Sequence, residues 1–490
     1  MRMVVNKKPL FSRIIINLNK GLLFNFKPLL NFIKMKILFF FIVIVFTYLN
    51  CHAQFGEQQI ISTEAANARS VHSADIDGDG DMDVLSASEG DEKIAWFENI
   101  DGLGNFGSQQ IITESLEDAI DVYAADLDGD GDLDVLAAAK QDDRIVWYKN
   151  LDGLGSFGTQ QIITTLTDGA NSVYAIDIDG DGDIDVLSSS FNDNKIAWYE
   201  NLDGLGNFGM QKIITTNALS TFVVYAADLD NDGDMDVIAT STGEAEIIWF
   251  ENVDGLGNFG AEQVITNNVL GILSVFAIDI DNDGDMDILS ASLSDDKVAW
   301  YENLDGLGNF GSQQIITTSL GGQNTVYAAD LDNDGDIDVL SSAPGDNVIA
   351  WYENLDGLGD FGTPQIITTD IVGARGVFAT DIDNDGDIDV LSVSSTDYKL
   401  AWYENLTILE VSENSLLDLS IYPNPTNDYL YISFKDKNIL RIELFDALGR
   451  KVLIEKENFN KLDLTHLKNG ILFMKIESEN GMLTKKIIKE

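Results

Sequence analysis

Cysteine is all but absent: Cys51 stands alone in 490 residues, so no internal disulfide can hold the fold. Proline is scarce, with six residues, which leaves no Pro-rich stalk or stiff linker. Positive charge is scarcest where the chain is longest. Between Phe55 and Leu406 there are ten Lys or Arg against 69 Asp or Glu, a net charge of −59. A surface of that sign cannot neutralise phosphates, so nucleic acid is excluded as a partner. The same stretch holds one histidine, His72, and no cysteine, so no Ser/His/Asp or Cys/His set can be assembled there. A 3.6-residue apolar period is missing as well, and with it any case for a helical protein.

What is present is one segment written seven times. Tryptophans fall at Trp96, Trp147, Trp198, Trp249, Trp300, Trp351 and Trp402, each 51 residues after the last. Acidic loops open at Asp75 and keep the same step to Asp381. A fixed period near 50 without insertions marks a repeat architecture. Each period carries four strand-like segments, in the second Val122–Leu127, Asp134–Ala139, Arg144–Asn150 and Gln160–Thr164, separated by Gly, Asp and Asn. Runs such as Ile145-Val146-Trp147-Tyr148 are apolar on both faces, so each sheet needs a neighbour on either side. Phe55 to Ile61 is a stray copy of the fourth strand, and the seventh repeat ends at Leu406 without one. The expected fold is all-β: a seven-bladed β-propeller closed by this N-terminal strand.

The acidic loop reads as a cation site. Carboxylates at positions 1, 3, 5 and 9, with glycine at 6 for the sharp turn, are what a calcium loop built of oxygen ligands requires. The candidate ligands are Asp75, Asp77, Asp79 and Asp83 in the first repeat and Asp126, Asp128, Asp130 and Asp134 in the second. Asp177, Asp179, Asp181 and Asp185 follow, then Asp228, Asp230, Asp232 and Asp236, then Asp279, Asp281, Asp283 and Asp287. Asp330, Asp332, Asp334 and Asp338, and finally Asp381, Asp383, Asp385 and Asp389, complete the set. Position 12 is Ser86 rather than Glu and a strand follows, so this is no EF-hand, and the ninth residue must close the cage. Like charges about 4 Å apart repel by about 4 kcal/mol at an effective dielectric of 20, so such loops oppose folding unless cations fill them. Up to seven Ca2+ ions, one per blade, are expected, in a structural role.

If the strands run from the axis outward, the acidic 1–2 loops and the Asp-Gly-Leu-Gly 3–4 loops share one face, and that face is monotonous. The 2–3 and 4–1 loops share the other, and there the repeats differ. One 4–1 position carries Arg69, Ile120, Asn171, Phe222, Leu273, Asn324 and Arg375 in turn. Arg69 and Arg375 fall on neighbouring blades across the closure, where together they suit a carboxylate or sulfate. His72 replaces an aromatic found in every other repeat and reads as packing, as do the tryptophans.

Flanking segments differ in kind. Residues 1–54 carry eight Lys or Arg and no acid. A basic start at Met35-Lys36, an apolar run Ile37–Phe46 and Cys51-His52-Ala53 read as a secretory leader cut after Ala53, with Met35 the true start. Cys51 as a lipid anchor and a retained membrane anchor are the alternatives; the first reading leaves no membrane span in the mature protein. Residues 55–406 form the propeller, 407–418 a linker, and 419–490 a small Ig-like β-sandwich with strands from Leu419–Tyr422 to Leu483–Ile488.

Two resemblances sharpen this. The DxDxDGxxD loop, the strand after it and Asp101-Gly-Leu-Gly-Asn-Phe-Gly107 resemble FG-GAP/VCBS repeats, the calcium-binding blade also seen in integrin α-chain propellers. That implies that the four acids of every loop are calcium ligands. Ser420-Ile-Tyr-Pro-Asn-Pro425, Leu444 to Val452 and the terminal lysines resemble the C-terminal sorting domain of the type IX secretion system, with Leu472 where that family usually has Tyr. It implies handling by that machinery and a place outside the cell, released or at the outer surface. The expected function is a binding or adhesion module for a glycan or surface protein. A secreted polysaccharide-active enzyme such as a lyase, and a structural surface component, are the alternatives.

Overall fold

The computed structural model describes residues 54–407 and 419–489, apart from 435–438, 447–449, 457–458 and 479–480. The leader with Cys51 and nearly all of the linker lie outside the described residues. Gln54 is bonded to the repeats: its Nε2 donates to Leu331 O at 2.5 Å, and its carbonyl accepts from Leu406 N at 2.6 Å.

The repeats form seven four-stranded antiparallel sheets. In the first, Ala68–Ala74, Asp83–Ser88, Lys93–Phe97 and Gln110–Thr113 pair in chain order. In the second sheet the first strand spans Ala119–Ala125, starting earlier than the sequence suggests and giving way to the acidic loop sooner; in the fourth and sixth sheets, Val224–Ala227 and Val326–Ala329, it starts at the expected valine and also ends sooner. Second strands are buried over all six residues, because adjacent Val and Leu point to opposite faces, small Ser and Ala follow, and each sheet is covered on both faces. Fourth strands, Gln110–Thr113 and its counterparts, are half exposed and form the outer edge.

The seventh sheet takes its outer strand from the other end of the chain. Gln59–Ser62 pairs antiparallel with Leu400–Tyr403, with Gln59 opposite Trp402 and Ile60 opposite Ala401. One apolar cluster joins Ala65, Val71, Val84 and Phe97 of the first sheet to Ile382, Leu391, Leu400 and Trp402 of the seventh. Successive sheets share such clusters throughout.

The tryptophans pack between sheets rather than facing solvent. Each is 1–2 % exposed, worth roughly 4–6 kcal/mol of burial apiece as an upper estimate. Trp198 lies under Gly257 of the following sheet so closely that a Cβ there would sit 2.1 Å from its ring. Trp402 meets Gly104 in the same way, and Trp351 is covered edge-on by Phe55, with ring centroids 6.4 Å apart.

A second layer of ties is polar. Asn150 Nδ2 donates to Ile76 O of the preceding sheet at 2.9 Å, and Asn201, Asn252, Asn303, Asn354 and Asn405 repeat the bond. Asn99 makes it to Ile382 O at 2.8 Å, linking the first sheet to the seventh.

The C-terminal segment holds two sheets, one of three strands and one of four. Leu430, Ile432 and Leu462 of the smaller share a core with Ile442, Leu444, Met474 and Ile487 of the larger. No helix among the described residues is long and apolar enough to cross a membrane.

Candidate functional site

In each acidic loop the chain turns sharply at position 6, where Gly80 and its counterparts hold φ near +95° to +98°. The turn gathers carboxylates. One oxygen each from positions 1, 3 and 9 falls within 4.8 Å of the others, as for Asp75, Asp77 and Asp83, and seven such acidic groups occur among the described residues. The fifth-position acid, Asp79, is not in that group; its Oδ1 accepts Asp81 N–H at 3.0 Å. Of the four acids expected to converge, three are brought together and the fourth closes the turn.

The ninth residue is the keystone. Asp83 Oδ2 accepts Ile76 N–H at 3.0 Å and Oδ1 accepts Asn99 N–H at 2.8 Å, tying the loop to the end of the third strand. The pair recurs in all seven sheets, with Asp287 bonded to Ile280 N and Asn303 N as one instance. These acids are at most 1 % exposed. Burial pushes them up to about 7, against the pull of the two N–H bonds. Third-position acids in six of the loops are also raised, by burial first, with the fifth-position acid and a nearby Glu (Glu98 in the first repeat) adding repulsion.

In four loops the position 1 and 3 carboxylates each leave one buried oxygen without a hydrogen-bond partner, Oδ1 of Asp75 and Asp77, Asp126 and Asp128, Asp228 and Asp230, and Asp381 and Asp383; in two more the third-position acid alone does, Asp179 and Asp281. Buried oxygens without donors, on acids that repel one another, fit a cation with oxygen ligands. The loops can therefore hold metal ions.

On the opposite side of the repeats, all seven residues of the variable 4–1 position, Arg69 through Arg375, line one cavity of about 290 Å³. Six aromatic residues line its inner wall, and with Phe378 they form a cycle of rings. Centroids from His72 through Tyr123, Tyr174, Tyr225, Phe276, Tyr327 and Phe378 back to His72 are 4.6–5.4 Å apart. His72 thus packs as the sequence suggests, and burial holds it neutral, near 4.

The rim is basic. Arg69 pairs with Glu89, while Arg375 Nε is buried without a hydrogen-bond partner. Desolvation, and then the Arg69 charge, press the Arg375 guanidinium downward. Lys140 joins them, its Nζ 4.8 Å from the Phe191 ring centroid and 5.9 Å from that of Phe222. Lys140 is the one base that opens a 2–3 loop, a signal the sequence carries, but its place on this rim is seen only in the structure. Asp121 is the only carboxylate lining the cavity, and it is spent on Val122 N–H and Val173 N–H.

A family model for the FG-GAP-like repeat matches residues 75–137, 126–188, 177–239, 228–290, 279–341 and 330–392, about two thirds of the chain. The chain belongs to the FG-GAP-like repeat family. A second model, the secretion system C-terminal sorting domain, matches residues 420–490. This FG-GAP-like protein is thus a repeat module exported by the type IX system to the cell surface or beyond. Among curated proteins, an endo-acting ulvan lyase of Formosa agariphila is 26% identical over 102 residues. That match covers 20% of this chain, and the chain spans only 20% of the lyase. Among solved structures, BBS1N in complex with ARL6DN, soaked with mercury, matches with a TM-score of 0.51 at 10% identity, covering 72% of this chain and 98% of that one. The lead-soaked form gives 0.50, with 96% of that chain covered. At such identity the likeness is one of fold alone.

Proposed function

We propose that residues 55–406 form a closed seven-bladed propeller, stabilised by calcium in its acidic loops, that binds an anionic ligand at its basic cavity. Closure is supported by the shared strand, the Asn99–Ile382 bond and the unbroken aromatic cycle. Calcium is supported by the donor set: hard carboxylate oxygens in a flexible loop favour it over magnesium, which needs a tighter octahedral site. Asp at positions 1, 3, 5 and 9 would hold the ion, with the fifth acid released from its turn bond. Residues 419–490 act as an Ig-like sorting unit.

One observation carries the binding reading. In a region of net charge −59, one cavity gathers Arg69, Lys140 and Arg375; Asp121, the one carboxylate of its lining, is already bonded, and Glu89 pairs with Arg69, which leaves Arg375 as the guanidinium with an unpartnered edge. A buried guanidinium edge without a partner is a site for a carboxylate or sulfate, from a glycan or a surface protein. Phe191 and Phe222 beside Lys140, packed edge to face, add apolar surface.

The lyase reading has the short similarity to the ulvan lyase in its favour. Tyrosines are the bases it would need, yet burial raises Tyr123, Tyr174 and Tyr327 above their ordinary range, which suits them to packing rather than proton abstraction. A glycan array read alongside product release from acidic polysaccharides separates the two. Binding without turnover is expected, and binding should vanish in an Arg69→Ala/Arg375→Ala variant. Retained binding in that variant would move the site elsewhere; product released at catalytic rates would replace the binding reading with the lyase.

A further inference from the structure

Two residues after each tryptophan, six repeats carry an acid: Glu98, Glu200, Glu251, Glu302, Glu353 and Glu404. The second repeat carries Lys149. Its ammonium pairs with Asp128 and lies 2.9 Å from Asp130 Oδ2, the third and fifth positions of its own loop. Asp128 is 6 % exposed, so this ion pair is partly withdrawn from water. The loop with its flanking residue therefore sums to a charge of −4, against −6 in the other six.

Shape is not what distinguishes this loop. Asp126, Asp128 and Asp134 converge as their counterparts do, and Asp134 keeps both backbone bonds. Only the charge has changed, and it has changed on the carboxylates an incoming ion would need. A divalent ion entering here must either displace the ammonium or sit beside it. With two unit charges lost from the site, affinity falls on the order of 100-fold or more.

We propose that Lys149 replaces the cation of the second blade, so that the protein holds six calcium ions rather than seven and keeps one loop closed when calcium is absent. The inference rests on the calcium reading of the other loops. It makes the second blade the part of the ring that does not depend on the medium.

Native mass spectrometry of the secreted chain, titrated with calcium after passage over chelating resin, counts the ions directly. Six are expected in the wild type and seven in Lys149→Glu. That variant should also melt lower without calcium and gain more on its addition. Seven tight ions in the wild type, or six in both chains, overturn the proposal. No ion in either chain overturns the calcium reading itself, and the six-ion count with it. Should Lys149→Glu fail to fold, Glu302→Lys makes the reverse change in the fifth blade: a fall from six ions to five supports the proposal, and an unchanged six overturns it.

Discussion

Removing calcium should make the protein more stable in mild acid than at neutral pH, the opposite of ordinary acid denaturation. The reason lies in the seven ninth-position acids, Asp83 through Asp389, which burial pushes up to about 7. In the unfolded chain these groups lose their protons near 4. Between about pH 4 and 7 the folded, cation-free protein therefore binds more protons than the unfolded one. Its stability is fully present at the acid end and falls as pH rises through that window. A shift of about three pH units is worth roughly 4 kcal/mol per group at face value, and solvent reaching the open side of each loop reduces it to about 1 kcal/mol. Seven loops then give several kcal/mol, or on the order of 10 °C in Tm for a domain of this size. His72, held near 4 by burial, works the other way, losing stability as pH falls below its ordinary value, but it is one group against seven. Calcium bound as proposed would reverse the trend, because it takes the deprotonated acids; at a hundredfold excess over Kd each site would add about 2.7 kcal/mol. Scanning calorimetry of chelator-stripped and calcium-loaded protein from pH 5 to 7.5 tests this. The stripped melt should fall with pH while the gap to the loaded melt widens. A stripped melt that rises with pH, or a gap of constant width, refutes the reasoning.

Gly257→Ala places a Cβ 2.1 Å from the Trp198 ring, whereas Gly233→Ala, also at positive φ, meets nothing within 4 Å. Chemical denaturation should register a loss of about 2–4 kcal/mol for the first and about 1 kcal/mol for the second. Asn252→Ala removes donors to Ile178 O and Met235 O and an acceptor for Gly257 N–H, at a cost of about 2–4 kcal/mol in the same assay. Deleting residues 419–490 should leave the repeats folded but inside the outer membrane, as immunoblots of medium, surface and periplasmic fractions would show.

The repeat made much of this fold legible. A period of 51 gives the number of sheets, and the extra strand at one end with the missing one at the other points to the shared sheet. The first strand of the tail, Leu419–Tyr422, has the limits read from the sequence. Interactions between sheets were harder to read. Asn99 and its six copies were visible as a constant residue, but a side chain that bonds a carbonyl 74 positions earlier leaves no local pattern. Spacing alone did not show that the fifth-position acids accept the N–H two residues on, as Asp79 and Asp130 do. Lys149 stood in plain view as a sign reversal; its meaning needed the distance to Asp130. Lys140 entered the basic rim only once a 2–3 loop and two phenylalanines from the next sheets were seen side by side.

The placement of Gln59–Ser62 has a mechanical consequence. The strand from which the chain leaves the repeats, Leu400–Tyr403, is zipped on one side to Asp389–Ser394 and on the other to Gln59–Ser62. Had the seventh repeat supplied its own fourth strand, the exit would lie at an edge, and a pull on the C-terminal side would peel one ladder bond by bond. As built, drag on a protein tethered through that side must tear two ladders together, so the repeats meet tension at their better-guarded strand.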